Sequence, residues 1–224
     1  LYPHMMTRIL TWWCMTVLAE EFETAPRLAE LGMTAADLLD IVRVAVGARR
    51  NAVTFHPASA PGLFSWLEGT GQMRRVFLAK ESWELSRRDN IESVYNPQLG
   101  IKIIFQNAER AGDPIFEPLA ANRKGAASAR AVDLGQIEMF PEHRIEKERT
   151  AAELNATVWI LFVEAEGQRV RAEFSCPKAI SDEQYAGFYE RILLVQDGEW
   201  DNPDPQSIDG EPSADYEVTV TRKG

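Results

Sequence analysis

The sequence predicts an α+β protein, with a helical N-terminal half packed on an antiparallel sheet of about four to six strands. Three observations predict it. Apolar residues up to about position 92 recur near the helical period, and after Tyr95-Asn-Pro97 the period changes to β-branched and aromatic runs. A hairpin pattern then centres on Glu166-Gly167. Residues 1–95 read as mainly helical and 96–224 as mainly antiparallel β, in one continuous globular unit.

Residues 7–23 suit a helix, because Ile9, Leu10, Trp13, Val17 and Leu18 recur near its period. The core of this stretch, 8–19, has the length of a signal-peptide core. Trp12 and Trp13 are unusual in such a core, so a buried helix and a cytoplasmic location are expected. Thr34-Ala-Ala-Asp37 is a capping-box start for a second helix through Leu38, Ile41, Val42 and Ala45, ending near Arg49-Arg50. Residues 51–61 read as a loop. A third helical region runs from Gly62 to about Glu92, with possible breaks at Gly69 and Gly71.

Ile101–Asn107 (IKIIFQN) is a strand by propensity. Residues 108–155 are low in apolar content and hold a charged helix candidate, Glu142–Glu153. Ala156–Glu164 and Gln168–Cys176 then pair around Glu166-Gly167. The expected register sets Trp159 opposite Phe174, Leu161 opposite Ala172 and Val163 opposite Val170 on an apolar face. On the other face Glu164 meets Arg169, Phe162 meets Arg171 and Ile160 meets Glu173. Ser181–Gly187 is a turn or short helix, Phe188–Gln196 a strand, and Tyr216–Thr221 an edge strand.

The 224 residues carry a net charge of −10, and its distribution is uneven. Residues 131–224 hold 9 basic and 20 acidic side chains, while 1–100 hold 10 and 11. Within the acidic third, 197–217 has eight carboxylates, three prolines and no lysine or arginine. Such a field disfavours nonspecific nucleic-acid binding and favours a protein partner with a basic surface, with Asp201, Asp204 and Asp209 as contact candidates. Cys14 and Cys176 lie far apart in apolar surroundings and read as buried thiols of a reducing compartment.

Motifs that imply chemistry are scarce. Gly69-Thr-Gly71 lacks the third glycine and preceding strand of a phosphate loop, and no serine sits in a nucleophile elbow. His4, His56 and His143 are scattered, so no metal site is expected. The spacing of Asp201, Asp204 and Asp209 does not fit a calcium loop. No cofactor is expected either.

Metal-dependent nuclease chemistry needs carboxylates converging on an ion, commonly with a lysine nearby. The candidates are Asp89, Glu92, Glu109, Asp113 and Glu173, with Lys102 on the strand. In the loop 123–130, Arg123, Lys124 and Arg130 flank small residues whose amides can approach an anion, and nucleic acid is a possible ligand there. Arg49, Arg50 and His56 could extend the same basic surface.

The stretch from Tyr95 to Asn107, with Lys124-Gly-Ala, resembles uncharacterised accessory proteins of bacterial mobile elements and prophages. The likeness covers about a third of the chain and brings no catalytic residues. It implies a bacterial cytoplasmic accessory protein. The expected function is non-enzymatic binding of another macromolecule, with no membrane association. The alternatives are a metal-dependent nucleic-acid-processing enzyme and an acidic mimic of nucleic acid that blocks a DNA-binding protein.

Overall fold

In the computed structural model, which describes residues 15–121 and 151–200, short strand β1 (Thr16–Leu18) precedes three helices. These are α1 (Glu21–Glu30), α2 (Ala35–Arg50) and α3 (Ala60–Leu78). Strands β2 (Glu84–Ser86) and β3 (Ser93–Asn96) flank a 3-10 turn at Arg88–Asn90, and β4 (Ile101–Glu109) and β5 (Leu119–Ala120) follow. The second described stretch holds β6 (Thr157–Glu166), β7 (Arg169–Pro177), β8 (Ile180–Ser181), β9 (Gln184–Tyr185) and β10 (Phe188–Val195).

The main sheet has eight strands in the order β1-β10-β7-β6-β4-β3-β2, with β5 added beside β4. It is mixed, because β1 lies parallel to β10 and β4 parallel to β6. The α+β class therefore holds, but the sheet is larger than four to six strands and is not purely antiparallel. The reason lies in the apolar runs of β4 and β6, which are buried along both faces as central parallel strands are. The chain between them is long enough for the crossover that a parallel pair requires.

Two helical expectations are corrected. Residues 16–18 of the expected 7–23 helix form β1, where Thr16, Val17 and Leu18 pair with Glu190, Arg191 and Ile192. Helix α1 starts only after Glu20. The third helix begins at Ala60, inside the expected loop, and runs unbroken through Gly69 and Gly71 to Leu78. Beyond it the chain turns at Ser82, whose φ is 67°, into β2. The α2 start is as expected: the Asp37 amide donates to the Thr34 hydroxyl at 3.2 Å and the Thr34 amide to the Asp37 carboxylate at 2.7 Å. Residues 151–154 are helical, whereas 142–150 of that helix candidate and the 216–221 strand lie outside the described residues.

The hairpin forms, two residues out of the expected register. Leu161 pairs with Phe174, Val163 with Ala172, Glu164 with Arg171 and Glu166 with Arg169. A shift of two leaves every side chain on its expected face, so the apolar face is intact. The two-residue turn lies one position later than the one drawn around Glu166-Gly167, at Gly167-Gln168, where Gly167 has φ 59°.

The helices cover one sheet face. Leu38, Ile41, Val42 and Ala45 of α2 and Met73 and Phe77 of α3 join Ile103, Phe105, Trp159, Leu161, Phe174 and Ile192 in the main core. The opposite face carries a smaller cluster, Val158, Ile160, Phe162, Tyr185 and Phe188, beside buried charged groups. Among the described residues no helix is long and apolar enough to cross a membrane.

Candidate functional site

The carboxylates proposed for metal chemistry do not converge with Lys102. Glu173 pairs across the sheet with Phe162, and Phe162 with Gln106, which places Glu173 about 16 Å from Lys102 by strand spacing. Lys102 is buried and bridges to Glu153 at 3.4 Å. Burial opposes ionisation of Glu153, but the Ser86 hydroxyl and the charges of Lys102 and Arg88 outweigh it and hold the carboxyl below its usual range. Glu109 is exposed, and Asp89 lies in the 3-10 turn with its side chain outside the described residues.

Asp113 and Glu173 do meet, inside a network built from arginines. Glu173 and Arg191 are both fully buried and hydrogen-bonded, with Arg191 Nε 3.0 Å from Glu173 Oε1. The same carboxylate accepts from the Gly112 amide and the Ser175 hydroxyl. Arg191 also donates to the Asp113 carbonyl at 2.8 Å, and Arg171 bridges Glu164 and the Asp113 carboxylate. The amides of Phe116 and Ile115 hold the Asp113 carboxyl below its usual range, with Arg171 adding to them. Gly112, at φ 64°, presses on the sheet: a Cβ there would lie 2.4 Å from the Val195 carbonyl oxygen. The network pins the turn after β4 onto the sheet, so these acids serve as structural counter-charges. Among the described residues no group of three or more His, Cys, Asp or Glu side chains is arranged to hold a metal ion.

A cleft of about 710 Å³ lies at the edge of β4. Strand β3 stops with Ser93 opposite Ile104, and β5 covers β4 only at Ala108 and Glu109. Among the described residues no strand pairs with this edge at Phe105 and Gln106, while the Asn107 carbonyl accepts from the Ala121 amide at 3.3 Å. The cleft passes this edge and meets both sheet faces. Ser59, Pro61, Gly62, Leu63 and Trp66 of the α3 start form one wall, and Ile104, Gln106, Ile160 and Tyr185 form the other.

Three groups supply its polar character. Asn107 accepts from Ser65 Oγ at 2.8 Å and donates to the Gly62 carbonyl at 2.8 Å, which fixes the α3 start against β4. Gln106 is 8% exposed; its Oε1 accepts from the Tyr185 hydroxyl at 2.7 Å, while its Nε2 has no acceptor. Burial pushes the Tyr185 hydroxyl well above its ordinary pKa, so it stays a proton donor. Arg49, from the last turn of α2, reaches the cleft, and no described carboxylate pairs with it. Glu92, also in the wall, is bound by Arg74 and Arg87.

Apolar side chains are exposed on α3 and on the loop before it. Phe55 is 98% exposed, and Val53, Leu63, Trp66 and Leu67 are exposed with it. Residues 63, 66 and 67 share one face of α3. The preceding loop folds onto that helix through His56, whose Nδ1 accepts from the Val53 amide and whose ring meets Phe64 edge-on at 5.2 Å.

Sequence reasoning singled out Arg49 and His56 without being able to join them to anything. It missed Gln106, Trp66 and Tyr185. One signal was available: Ser59-Ala60-Pro61 carries a helix-starting serine and a proline in the first turn, which places the α3 start at the cleft. Arg123, Lys124 and Arg130, with Asp201, Asp204 and Asp209, lie outside the described residues, as does Cys14. Cys176 is a free, buried thiol, pushed up to about 12 by burial and by Glu190.

Comparison with known proteins returns no matching family model, no matching curated protein and no matching solved structure.

Proposed function

We propose that the protein is a non-enzymatic binding protein that seats a segment of a protein partner across the α3 start and the β4-edge cleft. The observation that carries this reading is that Leu63 and Trp66 are exposed in the wall of a cleft with uncommitted donors, with Leu67 on the same helix face and Val53 and Phe55 exposed on the loop before α3. An apolar rim around a few polar groups suits a partner's side chains, which bury area on the rim and take orientation from the cleft. Among the described residues, those that line the cleft include no histidine, cysteine or lysine, and their one glutamate is ion-paired with two arginines. General acid–base or nucleophilic catalysis has little to draw on there. A bacterial, cytoplasmic setting with a mobile-element role remains part of the proposal, carried by sequence resemblance alone.

The test uses the full chain and its Phe55→Ser and Leu63→Ser variants as immobilised baits against lysate of the encoding cells. The expected result is a stoichiometric partner, retained by the parent chain, lost by both variants, and rebinding when purified. The same proteins on all three baits would overturn the reading. So would magnesium- or manganese-dependent cleavage of DNA or RNA that co-purifies with the chain and is abolished by Glu173→Gln.

A further inference from the structure

The polar end of the cleft has a chemistry of its own, and we infer that it receives a carboxylate from the docked segment, an inference that rests on the docking reading above. Three donors of independent origin belong to residues that line the same cleft. The first is Arg49, whose guanidinium no described carboxylate neutralises. The second is Gln106 Nε2, buried in a residue that lines the cleft and without an acceptor. Leaving a buried amide N–H unmade is costly, so an acceptor brought by a ligand gains from filling it. The third is the amino end of α3, a 19-residue helix whose first turn forms the cleft wall. The N-terminal partial charge of a helix that long favours an anion.

Acceptors already in the cleft do not compete. Gln106 Oε1 accepts from Tyr185, Asn107 Oδ1 accepts from Ser65, and the Glu92 charge is offset by ion pairs with Arg74 and Arg87. A planar two-oxygen group suits the site, because a guanidinium offers paired donors in a plane. The neighbouring Trp66 and Leu63 add an apolar wall for the carbon chain that carries it. The occupant is thus an aspartate or glutamate side chain, flanked by apolar residues, in the partner's segment.

The probe is phenylacetate, a carboxylate on an apolar ring, titrated into the full-length protein while the side-chain amide resonances of Gln106 are followed by NMR. Phenylacetate should move them; phenylacetamide, the same size without charge, and inorganic phosphate should do so far less. Arg49→Gln, checked to melt like the parent, should weaken the phenylacetate response about tenfold, the loss expected for one charge-assisted contact. Arg49→Lys should restore part of it. Equal responses to phenylacetate and phenylacetamide, tighter binding of phosphate, or an unchanged response in Arg49→Gln would each overturn the carboxylate assignment. Partner capture separates the two readings. Loss with Phe55→Ser but not with Arg49→Gln leaves docking standing and removes the carboxylate; loss with neither removes both.

Discussion

Gly69 in the middle of α3 packs against the tip of the Phe105 ring on β4, so close that a Cβ added to the glycine would sit 2.5 Å from the ring edge. Gly71, two residues on, faces open space. Helix propensity penalises both glycines by about 1 kcal/mol against alanine, so propensity alone predicts that either replacement stabilises. Packing reverses the sign at one of them. Gly69→Ala should destabilise by about 1–3 kcal/mol through overpacking against Phe105. Gly71→Ala should stabilise by about 0.5–1 kcal/mol. Paired denaturant titrations check this, and a gain of stability in both would mean that α3 does not pack on β4 at this point.

The hairpin register can be read from coupling. Glu164 is bonded to Arg171, while Arg169 lies at the strand end and bonds to Asp197. A double-mutant cycle on Glu164 and Arg171 should give a coupling of about 0.5–3 kcal/mol, and one on Glu164 and Arg169, which interact only through space, a clearly smaller one. Trp159 and Phe174 stack at 4.9 Å as diagonal neighbours, so Trp159→Ala should still cost about 3–5 kcal/mol. The opposite pattern of couplings would restore the register that places Glu164 against Arg169.

Arg191 and Glu173 are a buried pair in which neither charge has access to water. Removing one partner strands the other, so Arg191→Met should destabilise by about 3–5 kcal/mol. Adding Glu173→Gln to it should recover part of that loss. Chemical denaturation of the two variants decides it. An additive double mutant would show that the pair is not the anchor of the turn at Gly112.

Cys176 should be silent to thiol reagents at pH 8 in the folded protein and react fully in denaturant. Its folded thiol is pushed up to about 12 from an ordinary 9.0, first by burial and then by the charge of Glu190. The folded state therefore holds this proton where the unfolded state releases it. Its contribution to stability is fully present below pH 9 and falls as pH rises from 9 towards 12. Cys176→Ala should flatten that alkaline loss, as pH-dependent melts would show.

How much of this was legible in the sequence depended on local signals. The α2 capping box and the apolar faces of β6 and β7 were legible because Thr34, Asp37, Trp159, Leu161 and Phe174 declare them over short spans. The pairing of β1 with β10 was not: three residues carry no measurable period, and their partner lies more than 170 residues away. Parallel pairing of β4 with β6 was hinted at by unbroken apolar runs but needed the topology to be seen. The cleft was the least legible part. Its polar members, Arg49, Gln106 and Tyr185, come from three distant segments with no spacing in common. The acidic candidates misled for a related reason, since a carboxylate bound to a buried arginine and one awaiting a metal look alike in sequence.

Hydrogen exchange on the complex with the captured partner tests the docking surface most directly. Binding should protect the amides of residues 51–67 and of 105–107, the loop, the α3 start and the edge of β4, while amides of α1 and β10 keep their free-protein rates. Protection confined to other segments, with 51–67 and 105–107 exchanging as in the free chain, would contradict a binding site at the α3 cleft.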